Sequence, residues 1–416
     1  MNTIQKLHAR EILDSRGNPT IELEMILDSG MKSWSSVPSG ASTGIHEAHE
    51  LRDGEKRMNG KGVRNAIKNI HDIIAPAIIG MNPINQSEID NKMLELDGTA
   101  NKSKLGANAI LAVSMCVARL GAYCQGKKLY QHIAELSGQN PKMPRPFFNV
   151  INGGMHAGNS LPFQEFMISP RMDNFADTYY AAAEIYAQLK KNLKTKFGGA
   201  ATLLGDEGGF APDHIEDTYE VLDMLMTAVA DAGYAGQVDF ALDLAASEFY
   251  RDGNYDLGFK TETSDMKSVD EMIALYVDIC EKYPIISVED PFDQDDFSAF
   301  AQLRKILAEK NIQVVGDDLT VTSPVRIQTA IEDKSCNSLL LKINQIGSIS
   351  EAIAAFKLAR SENWTVMVSH RSGETTDDFI ADFAVGVGAE QVKFGSVARG
   401  ERVVKYNRLL AISEEL

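Results

Sequence analysis

Apolar positions in the second half of the chain fall into six short runs, each ending on a chargeable residue. They are VDFALD to Asp243, IISVE to Glu289, IQVVGD to Asp317, SLLLK to Lys342, TVMVSH to His370 and the pair Val392-Lys393. From Glu289 onward the steps are 28, 25, 28 and 23 residues, the length of one strand plus one crossover helix. Such a series predicts a parallel α/β barrel, whose chemistry sits at the carboxyl ends of its strands. Strand interiors tolerate charge poorly, so a charge at every strand end calls for a function. The helices between carry their own start signals: capping-box spacings at Ser268/Glu271 and Ser348/Glu351, and proline after the N-cap at Ser323-Pro324.

The first part of the chain reads differently. TIELEMIL alternates from Thr20 as a half-buried strand between the turn signals Arg16-Gly17-Asn18-Pro19 and Asp28-Ser29-Gly30. Helical stretches follow, the clearest being LGANAILAVSMCVARLGAYCQG, closed by Gly126. Three prolines between Pro141 and Pro146 read as a stiff connector. The prediction is an α/β protein with an N-terminal α+β capping domain, residues 1–140, followed by a catalytic barrel, residues 141–416.

Composition narrows the function classes. With 416 residues, 44% of them hydrophobic, the chain can bury a large core. A net charge of −17 argues against nucleic-acid or anionic-membrane partners, so an anionic substrate needs local cations. Four cysteines without metal-ligand spacing suit a reducing cytosol. No signal peptide core and no run of membrane-span length is seen, and the expectation is a soluble cytoplasmic protein.

Side by side in a barrel, Asp243, Glu289 and Asp317 converge. At about 4 Å and an effective dielectric near 20, each pair repels by roughly 4 kcal/mol, so some are protonated or a cation neutralises them. Oxygen-only ligands favour a hard ion, Mg2+ over Zn2+. Asp290 and Asp318 directly follow Glu289 and Asp317, and spacing does not decide which member of each pair points inward. Lys342 either neutralises this cluster or serves as a base. A divalent cation and desolvation depress its pKa and the carboxylates raise it. A base facing a metal fits proton abstraction beside a carboxylate. Two glycine-rich loops, Val37–Gly44 and Gly153–Gly158, read as flexible; the first lacks the Gly-Lys-Ser/Thr of a phosphate-binding loop.

Long stretches of the sequence, among them DSRGNPT, VPSGASTG, DGTANKSKLGANAIL, QEFMI, GDEGGFAP, SVEDPFDQDD, GDDLTVT, LLLKINQIG and VMVSHRSGET, resemble the enolase family almost end to end. Enolase-type sites are themselves a general pattern, a Lys or His base with one or two Mg2+ ions on an ene-diolate. The resemblance implies an enolase-like irregular start to the barrel and the reversible dehydration of 2-phosphoglycerate to phosphoenolpyruvate. It implies two Mg2+ per active site, one on Asp243, Glu289 and Asp317, the other held through Ser42 and substrate. Lys342 matches the base at C2; Glu207, with Glu165 beside it, matches the acid at the C3 hydroxyl, its pKa expected to be raised by its carboxylate neighbour. Arg371 and Ser372 match the phosphate grip, and Lys393 meets the substrate carboxylate. Gln164, His156 and His370 line the site, with His156 on a mobile cover. A homodimer is implied, with Arg10, Glu22 and Glu401 at positions of cross-subunit ion pairs. Departures from the family pattern are Met155, Pro162, Leu204, Phe394, Gly400 and Ala411. Phe394 is expected to crowd Lys393, and Ala411 to weaken the dimer. An enolase-fold binding or scaffold protein with reduced activity, and a superfamily member acting on another carboxylate, are the competing readings.

Overall fold

The structure is a computed structural model that describes residues 2–41, 44–213, 215 and 217–416. Ser42 therefore lies outside the described residues. The chain opens with an antiparallel sheet of Ile4–Leu13, Pro19–Leu27 and Lys32–Ser36. Period-two alternation orients it: Ile21, Leu23, Met25 and Leu27 are fully buried while Glu22 and Glu24 are partly exposed. The buried face packs on helix Ala107–Cys124, and Ser35 Oγ donates to the Ala112 carbonyl at 2.6 Å. By length and composition that helix could cross a membrane, contrary to the reading that no run qualifies. It is 83% buried inside the protein, where helix Gln86–Asp97 also covers it. Being apolar all round is what a core helix requires.

Eight strands close into a barrel in the order Arg145–Asn152, Glu165–Pro170, Val238–Asp243, Ile285–Glu289, Gln313–Gly316, Ser338–Leu341, Thr365–Ser369 and Gln391–Lys393. All six charge-ended runs are strands of this barrel. Its start is irregular: Glu165–Pro170 runs antiparallel to both neighbours, and two helices, Phe175–Phe197 and Thr218–Asp231, precede the third strand. Thereafter strands and helices alternate, with Ser268 and Glu271 making both bonds of their capping box. The lumen is plugged by one apolar layer, Phe147, Met167, Ala241, Val315, Leu340 and Met367, all nearly or fully buried. Polar side chains at the carboxyl rim thus sit on a dry floor, where electrostatic interactions are strong.

The N-terminal segment covers this rim. Ser39 and Gly373 exchange backbone hydrogen bonds at 2.8 Å, and a Cβ on Gly373 would meet the Ser39 carbonyl at 2.7 Å. Arg119 of the apolar helix grips Asp377 at 2.8 and 2.9 Å and Asp378 at 3.0 Å. Helix Leu129–Ser137 packs on barrel helix Phe379–Val387 so closely that a Cβ at Gly386 would lie 2.6 Å from the Tyr130 carbonyl.

Candidate active site

Six strand-end residues gather at the rim. Asp243, Glu289 and Lys393 are the last residues of their strands, and Lys342 and His370 follow theirs directly. Asp317 comes just after Gly316. Glu165 joins them from the other direction. It is the first residue of its strand, but the strand runs backwards, so it pairs in register with Asp243.

Two buried lysines organise the acids. Lys393 Nζ donates to Glu289 at 2.8 Å, Asp243 at 3.1 Å and Glu165 at 3.3 Å. Burial pulls its pKa down, but Asp243, Glu165 and Glu289 together raise it well above the ordinary value. Lys342 Nζ donates to Asp317 Oδ2 at 2.5 Å. Here too burial works downward and Asp317 more than offsets it, so the pKa of Lys342 is raised and the amine is held charged. Asp317 also accepts from Gln345 at 2.8 Å, and Gln164 reaches Asp243 at 3.3 Å.

The donor set fits a hard divalent cation. Asp243, Glu289 and Asp317 offer only carboxylate oxygens, and Glu289 Oε2 is buried without a hydrogen-bond partner. Burial and the neighbouring Asp243 raise the pKa of Glu289, the strain of crowded acids that a cation relieves. Among the described residues the three do not form one tight group; Lys393 stands between Asp243 and Glu289. The compact acidic group is Asp290, Asp317 and Asp318, with ligand oxygens within 4.8 Å of one another. Asp290 spends both oxygens on the backbone N–H groups of Asp317 and Asp318, at 2.9 and 2.7 Å. Its left-handed backbone, φ 42°, turns it away from Glu289 and into that next loop. Between Glu289 and Asp290, then, Glu289 points inward.

Across the cavity, Glu207 accepts from Asn149 Nδ2 at 3.0 Å, and His370 Nε2 lies 3.3 Å from it. Arg402 Nη1 contacts His370 Nδ1 at 2.7 Å. An arginine only donates, so Nδ1 is the acceptor and the imidazole proton is on Nε2, facing Glu207. Burial pushes His370 down to about 3, in keeping with a neutral ring. His156 Nδ1 stands 3.5 Å from Glu207 Oε1 and 3.9 Å from Glu165 Oε1, and burial lowers its pKa as well. Two buried carboxylates this close share one charge. Burial and the charge of Glu207 raise the pKa of Glu165 well above the usual range. Glu207 goes the other way: burial disfavours its charge, but His156, His370 and Arg402 outweigh it and hold the pKa well down. The expectation that Glu165 raises Glu207 is thus reversed, because the nitrogen donors cluster around Glu207; the proton rests on Glu165.

Arg371 forks onto Glu47 with two bonds and also donates to Asn344 Oδ1 at 3.1 Å. Ser372 Oγ accepts from the Ala41 backbone at 2.7 Å. His156, Gln164, Glu165, Glu207, Lys342, His370, Arg371, Ser372 and Lys393 all line one cavity of about 10 Å3. That is room for about one water, so a substrate fits only once the lining side chains move apart. Glu47, Asn149, Arg402 and Gln345 were not singled out from sequence. They lie outside the charge-ended runs, and their partners are distant along the chain.

The enolase C-terminal TIM barrel domain family model matches residues 140–416, and the enolase N-terminal domain model matches residues 4–133. This chain belongs to the enolase family. A protein named Enolase 1 from Entamoeba histolytica is 53% identical over 424 residues, covering 100% of this chain and 96% of that protein. Membership of the enolase family implies a divalent metal, consistent with the donor set above.

Among the departures from the enolase pattern, Phe394 does not crowd Lys393. Strand alternation sends Lys393 into the lumen and Phe394 outward, where it is fully buried 5.8 Å from the Tyr406 ring. Arg10 pairs with Glu22 within the chain at 3.0 Å, and Glu401 accepts from Arg399 at 2.7 Å.

Proposed function

We propose that this chain interconverts 2-phospho-D-glycerate with phosphoenolpyruvate and water. One observation carries the reading: a buried lysine beside a carboxylate cluster and a buried carboxylate pair line a single cavity. Lys342 takes the proton from C2, and the electrons of the broken C2–H bond form the C2–C3 double bond. The C3–O bond breaks, and the departing hydroxide leaves as water with the proton stored between Glu165 and Glu207. Lys342 is charged while it rests on Asp317, so it acts as a base only once that contact is released. Asp243, Glu289 and Asp317 would hold one Mg2+, with a second reached through Ser42, and such ions would supply positive charge beside the substrate carboxylate.

The remaining side chains bind and orient. Arg371 and Ser372 take the phosphate, for which a guanidinium fork is suited. Lys393 meets the substrate carboxylate, while Gln164, His156 and His370 line the pocket and exclude water. The full set of charged groups for a phosphorylated substrate favours catalysis over a scaffold role. We further read the chain as a glycolytic, cytoplasmic homodimer, divided at residues 1–140 and 141–416, with Ala411 weakening the dimer. Sedimentation across a dilution series tests the last point; a dimer that persists at nanomolar concentration counts against it. Phosphoenolpyruvate formation with and without added Mg2+ tests the activity. Absence of turnover at saturating metal and substrate would overturn it in favour of a binding protein.

A further inference from the structure

The chain between Val238–Asp243 and helix Val269–Lys282 forms a small three-stranded antiparallel sheet outside the barrel, and from it Lys260 reaches back to the cavity cover. Its Nζ donates to the Gly154 carbonyl at 2.6 Å and the Ala157 carbonyl at 2.9 Å. The two carbonyls bracket His156, which closes a single 3-10 turn, Gly154–His156. Among the described residues Lys260 meets carbonyls rather than an acid, and burial alone pulls it down to about 8. A half-buried ammonium held only by neutral carbonyls is unusual, since burying a lysine without an acid is costly.

The surroundings fix both ends of this contact. On its inner side the turn is seated on strand-proximal backbone: a Cβ on Gly153 would lie 2.3 Å from the Phe163 carbonyl, and one on Gly154 3.0 Å from Gln164 Cα. Asp206 N donates to the His156 carbonyl at 3.0 Å, tying the turn to the segment that carries Glu207. Phe259, next to Lys260, packs on Phe249 at 5.7 Å, and Phe249 packs on Phe163 at 6.4 Å. The lysine and the seat of the turn therefore share one aromatic support.

We propose that Lys260 is a positioning residue that clamps the Gly154–Ala157 turn and so fixes the His156 imidazole against the Glu165–Glu207 pair. The inference rests on the function proposed above, in which that pair serves loss of the C3 hydroxyl and Lys342 serves the C2 proton. It follows that Lys260 affects one half-reaction and not the other. Its loss frees the turn without touching Lys342, Asp317 or Arg371.

The experiment compares solvent exchange of the C2 proton with phosphoenolpyruvate formation in the full-length chain with Mg2+, for wild type, Lys260→Met and Lys260→Arg. In Lys260→Met, exchange stays within about twofold of wild type while phosphoenolpyruvate formation falls on the order of tenfold, the effect of a lost charge-assisted contact. Lys260→Arg, which keeps the charge and donors, recovers most of that loss. Equal rates for both steps in Lys260→Met overturn the inference, as does a parallel fall in both steps accompanied by a lower Tm. A wild-type chain that exchanges no C2 proton and forms no product overturns the proposed function instead.

Discussion

The Arg371 guanidinium holds the Glu47 carboxylate at two points, Nη1 to Oε2 at 2.8 Å and Nη2 to Oε1 at 3.0 Å. A carboxylate in that fork occupies the geometry a phosphate group would use. Any phosphate that binds Arg371 competes with Glu47. Glu47→Gln weakens the internal competitor, and we expect inorganic phosphate to inhibit the variant at about tenfold lower concentration than wild type. Inhibition titrations check this; an unchanged constant means Glu47 moves aside without cost.

Lys342 stands directly on Asp317, which links the base to metal binding. Lys342→Ala should abolish C2 proton exchange. It also removes a cation from Asp317, so Mg2+ affinity should hold or increase. Deuterium exchange followed by NMR, with calorimetry for the metal, tests both; surviving exchange removes Lys342 as base.

Glu207→Gln separates the half-reactions. The amide no longer shares a proton with Glu165, yet the Lys342 side is untouched. Exchange at C2 should continue while phosphoenolpyruvate formation drops by on the order of a hundredfold or more, the scale of general acid catalysis. An equal loss of both rates would disprove the division of labour.

Asp317→Asn keeps the shape of the rim and removes one negative charge. Mg2+ affinity, measured by calorimetry, should weaken on the order of tenfold or more. An unchanged affinity would shift the ligand role to Asp318, which burial and Asp317 push up to about 8.

Asp377 ties the cover to the barrel through Arg119. Burial pushes its carboxyl up, but Arg119 and the backbone N–H groups of Phe379 and Ser36 hold it below the usual carboxylate range. A depressed folded pKa stabilises the protein fully above the unfolded value, about 3.9, and that contribution fades as pH falls through the folded one. Asp377→Asn leaves Arg119 with Asp378 as its remaining acidic partner and should cost about 1–3 kcal/mol near neutral pH. Denaturant midpoints at pH 7 and below pH 4 should show the variant losing less stability on acidification than wild type.

The barrel was legible because a charge that ends an apolar run marks a strand end, and regular spacing marks a repeated strand–helix unit. The reversed strand was not, since periodicity carries no direction; only pairing brings Glu165 level with Asp243. Spacing left Glu289 and Asp290 undecided, and a single left-handed residue resolves them. The concern over Phe394 overlooked alternation, which sends neighbouring strand residues to opposite faces. The direction of the Glu207 shift depends on His156, His370 and Arg402, which approach from three separate elements and leave no local signature.

The inverted second strand has a mechanical side. Between Asn152 and Glu165 the chain leaves the catalytic rim and returns to the same rim, forming an arch anchored at both feet. His156 rides on the span and Glu165 is one foot. Lifting the arch to admit a ligand tugs the imidazole and the proton-bearing acid as one piece, so opening the door also unsets the trigger.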